Sequence, residues 1–177
     1  MIINVARKEL KSLFASPMGW IILALLMLAF GSFYLQGVNN YFEVMSGSIR
    51  PAERVGVTIF VGQTVYGIAS FLMLFAVPLL TMRLISEERK SQTLPFLFSA
   101  PISLTEIVVG KFLGLIIFLS ILVLYILIML STLNIWSDID FGYLIANSLG
   151  LILLAASFSA LGIYFSSLTN QPIIAAI

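Results

Sequence analysis

Four long stretches of this 177-residue chain carry no charged side chain. They run Ser12–Phe42, Val55–Met82, Phe112–Ser137 and Phe141–Ile177, with 31, 28, 26 and 37 residues. A helix needs about 20 apolar residues to cross roughly 30 Å of hydrocarbon. A lone charge at the bilayer centre costs about 2.5–3.5 kcal/mol even on the most lenient scale. Four uncharged windows in succession therefore predict four membrane-spanning segments, placed at 17–36, 59–82, 107–131 and 141–165. Lipid offers no water to an open backbone, so the spans are helical. Barrel strands would be far shorter and would alternate in polarity. The expected fold is all-α, a polytopic transmembrane helix bundle forming one domain. The stretch 172–177 reads as the start of a fifth span, as if the chain were cut short.

Composition agrees. Hydrophobic residues make up 60% and charged residues 10%, against about 25% charged in soluble domains. Mean hydropathy is +1.11, and a soluble fold of this size cannot hide so much apolar surface. The first apolar tract is longer than a signal-peptide core, and no small-x-small cleavage site follows it, so it is read as a retained span. The net charge of +1 provides no basic field for nucleic acid. Cysteine and histidine are absent. Disulfides, Cys or His metal sites, thiol nucleophiles and imidazole bases go with them. No Gly-x-x-x-x-Gly-Lys-Ser/Thr loop occurs, so no Walker site for ATP is expected in this chain. The spans hold no deep ionisable group for membrane hydrolysis or for ion-coupled transport. The chain thus reads as non-enzymatic and without a cofactor of its own, and any transport it performs would be powered from outside the bilayer.

The basic residues suggest an orientation. Arg7, Lys8 and Lys11 precede the first span, and Arg83, Arg89, Lys90 and Lys111 surround the second connection. Only Arg50 and Arg54 lie in the first connection, and the third has Asp138 and Asp140 without a base. The positive-inside rule puts the N-terminus and the 83–106 connection in the cytoplasm of a multi-pass protein of the inner (plasma) membrane. Trp20, Trp136 and Tyr143 suit interface positions.

Two segments outside the spans have character. At 100° per residue, Ile2, Ile3, Ala6, Leu10, Leu13 and Phe14 share one face of a helix over 2–14, with Asn4, Arg7, Lys8 and Lys11 opposite and Glu9 at the border. That pattern suits a helix lying in the bilayer interface with its bases toward anionic headgroups. A plain positive flank with incidental periodicity is the alternative. The first outer connection, 37–58, is polar and reads as a loop or short surface helix. In the 83–106 connection, charged Glu87–Lys90 precedes an apolar run, Leu94–Phe98, interrupted by Pro95. Ser103-Leu-Thr-Glu106 is a capping box opening the third span. The apolar run would dock on the membrane interface or on another protein's groove.

Inside the spans, Gln63, Thr64, Tyr66 and Ser70 fall in the second, and Asn147, Ser148, Ser157 and Ser159 in the fourth. They suit hydrogen bonds between helices or the lining of a substrate path. Gly110-x-x-x-Gly114 and Ala155-x-x-x-Ser159 suit close helix packing.

The order of these features resembles a known family. A basic Arg7-Lys-Glu-Leu-Lys11 and Ser16-Pro17 precede a span. A second span runs into Arg83-Leu-Ile-Ser-Glu-Glu-Arg-Lys-Ser-Gln-Thr-Leu94. Then come Ser99-Ala-Pro-Ile-Ser103 and Glu106-Ile-Val-Val-Gly-Lys-Phe112. This is similar to the permease subunits of type-2 ATP-binding-cassette (ABC) exporters, most of all the branch with gliding-motility permeases and the permease of nitrous-oxide-reductase maturation. The resemblance implies six spans preceded by an interfacial elbow helix, here 2–14 with Arg7, Lys8 and Lys11. It implies a coupling region at about 86–98 that sits in a cleft of a separate ATPase subunit, where ATP is held. Glu87, Glu88, Arg89 and Thr93 match its motif, with Leu94 as an apolar contact. Gln92 stands where the family often has Gly, and Pro95 where it often has an acidic residue. The implied partners are the ABC ATPase, a second permease subunit and the bilayer. A membrane scaffold or assembly factor without a transport cycle would explain the hydrophobicity equally well, but not the motif order.

Overall fold

The structure, a computed structural model, describes residues 1–46, 56–90 and 103–168. Over these residues the chain forms α1 (Ile2–Ala15), α2 (Pro17–Met45), α3 (Val57–Lys90), α4 (Leu104–Ser131), a 3-10 turn (Thr132–Ile135) and α5 (Phe141–Leu168). No strand occurs among the described residues. Segments Pro17–Met45, Val57–Thr81, Thr105–Ile135 and Phe141–Ser167 are each long and apolar enough to cross a bilayer. The all-α polytopic bundle expected from the charge gaps is what the chain forms. The stretch 172–177, read as the start of a fifth span, lies outside the described residues.

The spans alternate in direction. Along α2 and α4 the contacts advance together. Gly19 lies by Phe118, the Tyr125 hydroxyl donates to the Met27 carbonyl at 3.3 Å, and the Tyr34 and Thr132 hydroxyls meet at 2.8 Å. Along α3 and α5 they also advance together, from Tyr66 with Leu144 to Thr81 with Gly162. The chain reverses between α2 and α3, where Gly37 lies against Val61.

Burial follows helical spacing. On α4, Leu115, Phe118, Leu119, Leu122, Ile126 and Leu130 are buried three or four residues apart, as one helical face requires. On α5 the inner face is mostly small: Leu144, Ser148, Leu151, Ala155, Ser159, Gly162 and Ser166. Between lipid-embedded helices apolar burial gives no net drive, so close packing through small residues holds them together. Ala155 and Ser159, paired in the sequence as small residues, lie on this face. Large apolar residues such as Leu28 and Leu153 point outward, 75% and 70% exposed. That arrangement suits hydrocarbon around the bundle, not water.

Two helices run past the expected span ends. The second span's helix, α3, continues from the apolar window through Lys90, into the connection. Pro78 sits within it, and the Thr81 hydroxyl donates to the Pro78 carbonyl at 3.1 Å. The first span's helix, α2, runs on through Gly37 to Met45, where a loop or short surface helix was expected. The reason is tertiary. Val38 and Tyr41 pack on the core, and Tyr41 meets the Phe60 ring with centroids 5.8 Å apart. Asn39 and Asn40 stay outside on the opposite face.

Candidate functional site

The end of the bundle carrying α1 is built around the start of α4. The expected capping box is present. The Ser103 hydroxyl accepts from the Glu106 amide at 3.3 Å, and the Ser103 amide donates to Glu106 Oε2 at 3.1 Å. These bonds satisfy two of the amide donors that a helix start leaves open.

One turn further, α1 lies directly on α4. A Cβ on Gly110 would stand 2.6 Å from Val5 Cβ, and one on Gly114 would stand 2.9 Å from the Ala6 carbonyl oxygen and Glu9 Cβ. Real Cβ atoms do not come this close, so both glycines are required by the approach of α1. The contacts progress from Val5 at Gly110, through Glu9 at Gly114, to Phe14 at Phe118, whose rings meet edge-on at 5.2 Å. α1 therefore runs alongside α4 in the same sense. Segment Thr105–Ile135 has 31 residues, about 46 Å of helix against about 30 Å of hydrocarbon.

Within this contact lies an ion pair. Lys111 Nζ donates to Glu9 Oε2 at 3.1 Å, with side chains only 3% and 11% exposed. Opposite charges taken out of water cost desolvation that their attraction roughly repays, whereas removing one partner of such a pair costs about 3–5 kcal/mol. Neither residue was singled out in the sequence as half of a pair. Glu9 was the border residue of the amphipathic face and Lys111 a flanking positive charge. The available signal was an acid at the edge of an apolar face and a lysine inside a Gly-x-x-x-Gly motif. Arg7, Lys8 and Lys11, expected on the polar face of α1, are exposed there.

The corner after α1 is closed by packing. The Trp20 indole N–H donates to the Phe14 carbonyl at 2.7 Å, and the two rings lie 5.7 Å apart. A Cβ on Gly19 would run into the Leu13 carbonyl oxygen.

Of the expected coupling residues, Glu87, Glu88 and Arg89 fall on the last turns of α3, and nothing is described of their side chains. Thr93 and Leu94 lie outside the described residues.

The polar residues within the spans separate into two groups. Tyr66 and Ser148 are brought together between α3 and α5, 2.9 Å apart, and the Tyr66 hydroxyl also reaches the Leu144 carbonyl at 3.0 Å. Asn147 donates to the Tyr143 carbonyl of its own helix at 2.8 Å. Thr64, Ser70 and Ser157 likewise bond carbonyls three or four residues back, which satisfies them without a neighbouring helix. Gln63 is exposed on the outer face of α3. Ser159 Oγ is buried without a hydrogen-bond partner among the described residues. Beside Ser148 an open, almost wholly apolar groove of about 340 Å³ separates α4 from α5, with Ser120 and Leu124 on one wall and Ile145 and Ile152 on the other. Among the described residues no group of three acidic side chains could hold a metal ion.

A family model described as ABC-2 family transporter protein matches residues 3–176. A search among curated proteins finds no match.

Proposed function

The chain belongs to the ABC-2 transporter family, and from that premise we propose that it is the membrane-spanning subunit of an ATP-driven exporter. Membership makes it a multi-pass membrane permease component. The proposal adds the exporter direction, residence in the inner (plasma) membrane with the N-terminus in the cytoplasm, and kinship with the gliding-motility and nitrous-oxide-reductase-maturation branch. Two permease subunits, identical or different, pair in the bilayer. Two ATPase subunits bind the cytoplasmic face and hold the ATP. The region 86–98 takes up their motion through Glu87, Glu88, Arg89, Thr93 and Leu94, and 2–14 serves as the elbow.

The observation supporting this reading is the extent of α3. Its apolar window ends at Thr81, but the helix continues to Lys90, about 13 Å further at 1.5 Å per residue. A helix resists bending, so a force on Glu87–Arg89 is carried into the span. On the other side of the connection, α4 is started firmly by the Ser103–Glu106 capping box. A short connection between two stiff helices is a sound mechanical input.

Co-purification tests this directly. The native chain should bring down a Walker-containing ATPase, and Glu87→Lys together with Glu88→Lys should abolish the association. Retention of the ATPase by that variant would remove the coupling assignment. A gene neighbourhood without an ABC ATPase would favour the scaffold reading.

A further inference from the structure

We infer that the bundle consists of two stiff helix pairs, α3 with α5 and α1 with α4, and that the apolar seam between α4 and α5 is where they part when the protein works. The seam stands on the structure alone; its movement under load from an ATPase deepens the function proposed above and rests on it.

The α3–α5 pair is tied along its length. At one end the Asp140 amide, just before α5, donates to Thr58 Oγ1 at 3.4 Å. Further on, the Tyr66 hydroxyl meets Ser148 and the Leu144 carbonyl. At the other end Thr81 fills the space that a side chain on Gly162 would need. From residue 58 to residue 81 these ties cover about 35 Å of helix. The α1–α4 pair is held by Val5 over Gly110, by Ala6 and Glu9 over Gly114, by the Glu9–Lys111 ion pair and by the Phe14–Phe118 rings. Close approach through small residues and polar bonds are what hold helices together in lipid, and both pairs have them.

The α4–α5 seam is built differently. The groove of about 340 Å³ already holds part of the two helices apart. Both hydroxyls on its walls are committed elsewhere. Ser120 donates to the Ile116 carbonyl of its own helix at 2.8 Å, and Ser148 is held by Tyr66 of α3. The rest of the lining is aliphatic. Lipid tails are as apolar as these side chains, so exchanging one contact for the other costs little. α3 and α4 touch only slightly and do not close the seam from behind.

The end away from α1 is fixed. There the short turn Thr132–Ile135 leads from α4 toward α5, and α2 touches both pairs, through Tyr34 on Thr132 at 2.8 Å and Gly37 against Val61. The pairs therefore part as a hinge that is widest toward α1. Glu87, Glu88 and Arg89 all lie on α3, so a load on them acts directly on one pair and not on the other.

The test uses the absence of native cysteine. Nitroxide labels go on exposed positions, where they displace no packing. Ile117→Cys with Leu161→Cys spans the seam, Leu79→Cys with Leu161→Cys lies within the first pair, and Ile3→Cys with Ile117→Cys lies within the second. Distances are measured by pulsed electron paramagnetic resonance in lipid nanodiscs. In the chain alone, the distance distribution across the seam should be broader than either distribution within a pair. Equal widths for all three overturn the seam. In the complex with its ATPase, ATP with vanadate should shift the seam distance by more than about 2 Å, the upper scale of helix shifts at moving interfaces, and leave both within-pair distances in place. A fixed seam distance in that complex, or an equal shift within a pair, overturns the movement. Failure of any ATPase to co-purify would instead count against the proposed function, and the widths measured on the chain alone would still decide the seam.

Discussion

The Tyr66 hydroxyl on α3 stands 2.9 Å from Ser148 Oγ and 3.0 Å from the Leu144 carbonyl, both on α5. It is a side-chain hydrogen bond across the α3–α5 contact, in an interface otherwise built from small and apolar residues. Such bonds average about 0.6 kcal/mol in membrane bundles and reach about 1.7. Tyr66→Phe removes both contacts and should cost a sum in the upper part of that range. Ser148→Ala leaves the hydroxyl its carbonyl partner, so it should cost less. Reversible unfolding in mixed micelles, run as a double-mutant cycle, measures both. Equal costs for the two variants would mean that the Leu144 bond contributes nothing.

At the other end of the same contact, Gly162 has no room for a side chain. Any Cβ there would overlap Thr81 Oγ1, with Thr81 Cβ 2.7 Å away. Backbone-proximal atoms cannot rotate aside, so Gly162→Leu should force α3 and α5 apart, at the usual overpacking cost of about 1–3 kcal/mol or more. Gly67 is the internal control, because a Cβ there meets nothing within 4 Å. Gly67→Ala should be neutral or stabilise by up to about 1 kcal/mol through the better helix propensity of alanine. The same micelle unfolding assay separates the two, with opposite signs expected.

These contacts show how far the sequence alone reaches. The spans are legible because a charge is intolerable in hydrocarbon, so the gaps between charges outline them without any knowledge of packing. The helix ends are less legible. α2 continues through Asn39 and Asn40, which read as loop residues, because Val38 and Tyr41 on the opposite side find the core and the Phe60 ring. The Ser103–Glu106 box was readable because its partners are three residues apart. The Glu9–Lys111 pair was not, because 102 residues separate its members and periodicity carries no information across such a distance. Gly110 and Gly114 advertised a close contact without naming α1 as the helix that makes it. Among the polar residues of the spans, composition could not separate Tyr66, which bridges helices, from Thr64 or Ser70, which bond their own.

The corner between α1 and α2 gives the last prediction. Ser16 ends α1 in an extended conformation and Pro17 begins α2, a first-turn position where the missing amide of proline costs little. The angle is then held by Gly19 under the Leu13 carbonyl and by the Trp20 indole on the Phe14 carbonyl at 2.7 Å. Gly19→Ala puts a methyl group into a backbone oxygen, which cannot move without moving α1. The corner should open and Trp20 should lose its contact with Phe14. With Trp136 replaced by Phe, Trp20 is the sole tryptophan of the chain, and its emission reports the corner alone. Gly19→Ala should make that emission more accessible to an aqueous quencher. Gly31→Ala, further along α2, meets only the movable Tyr125 hydroxyl at 3.3 Å and should leave it unchanged. If quenching is the same in both variants, the corner is not held by Gly19 and the indole bond is incidental to it.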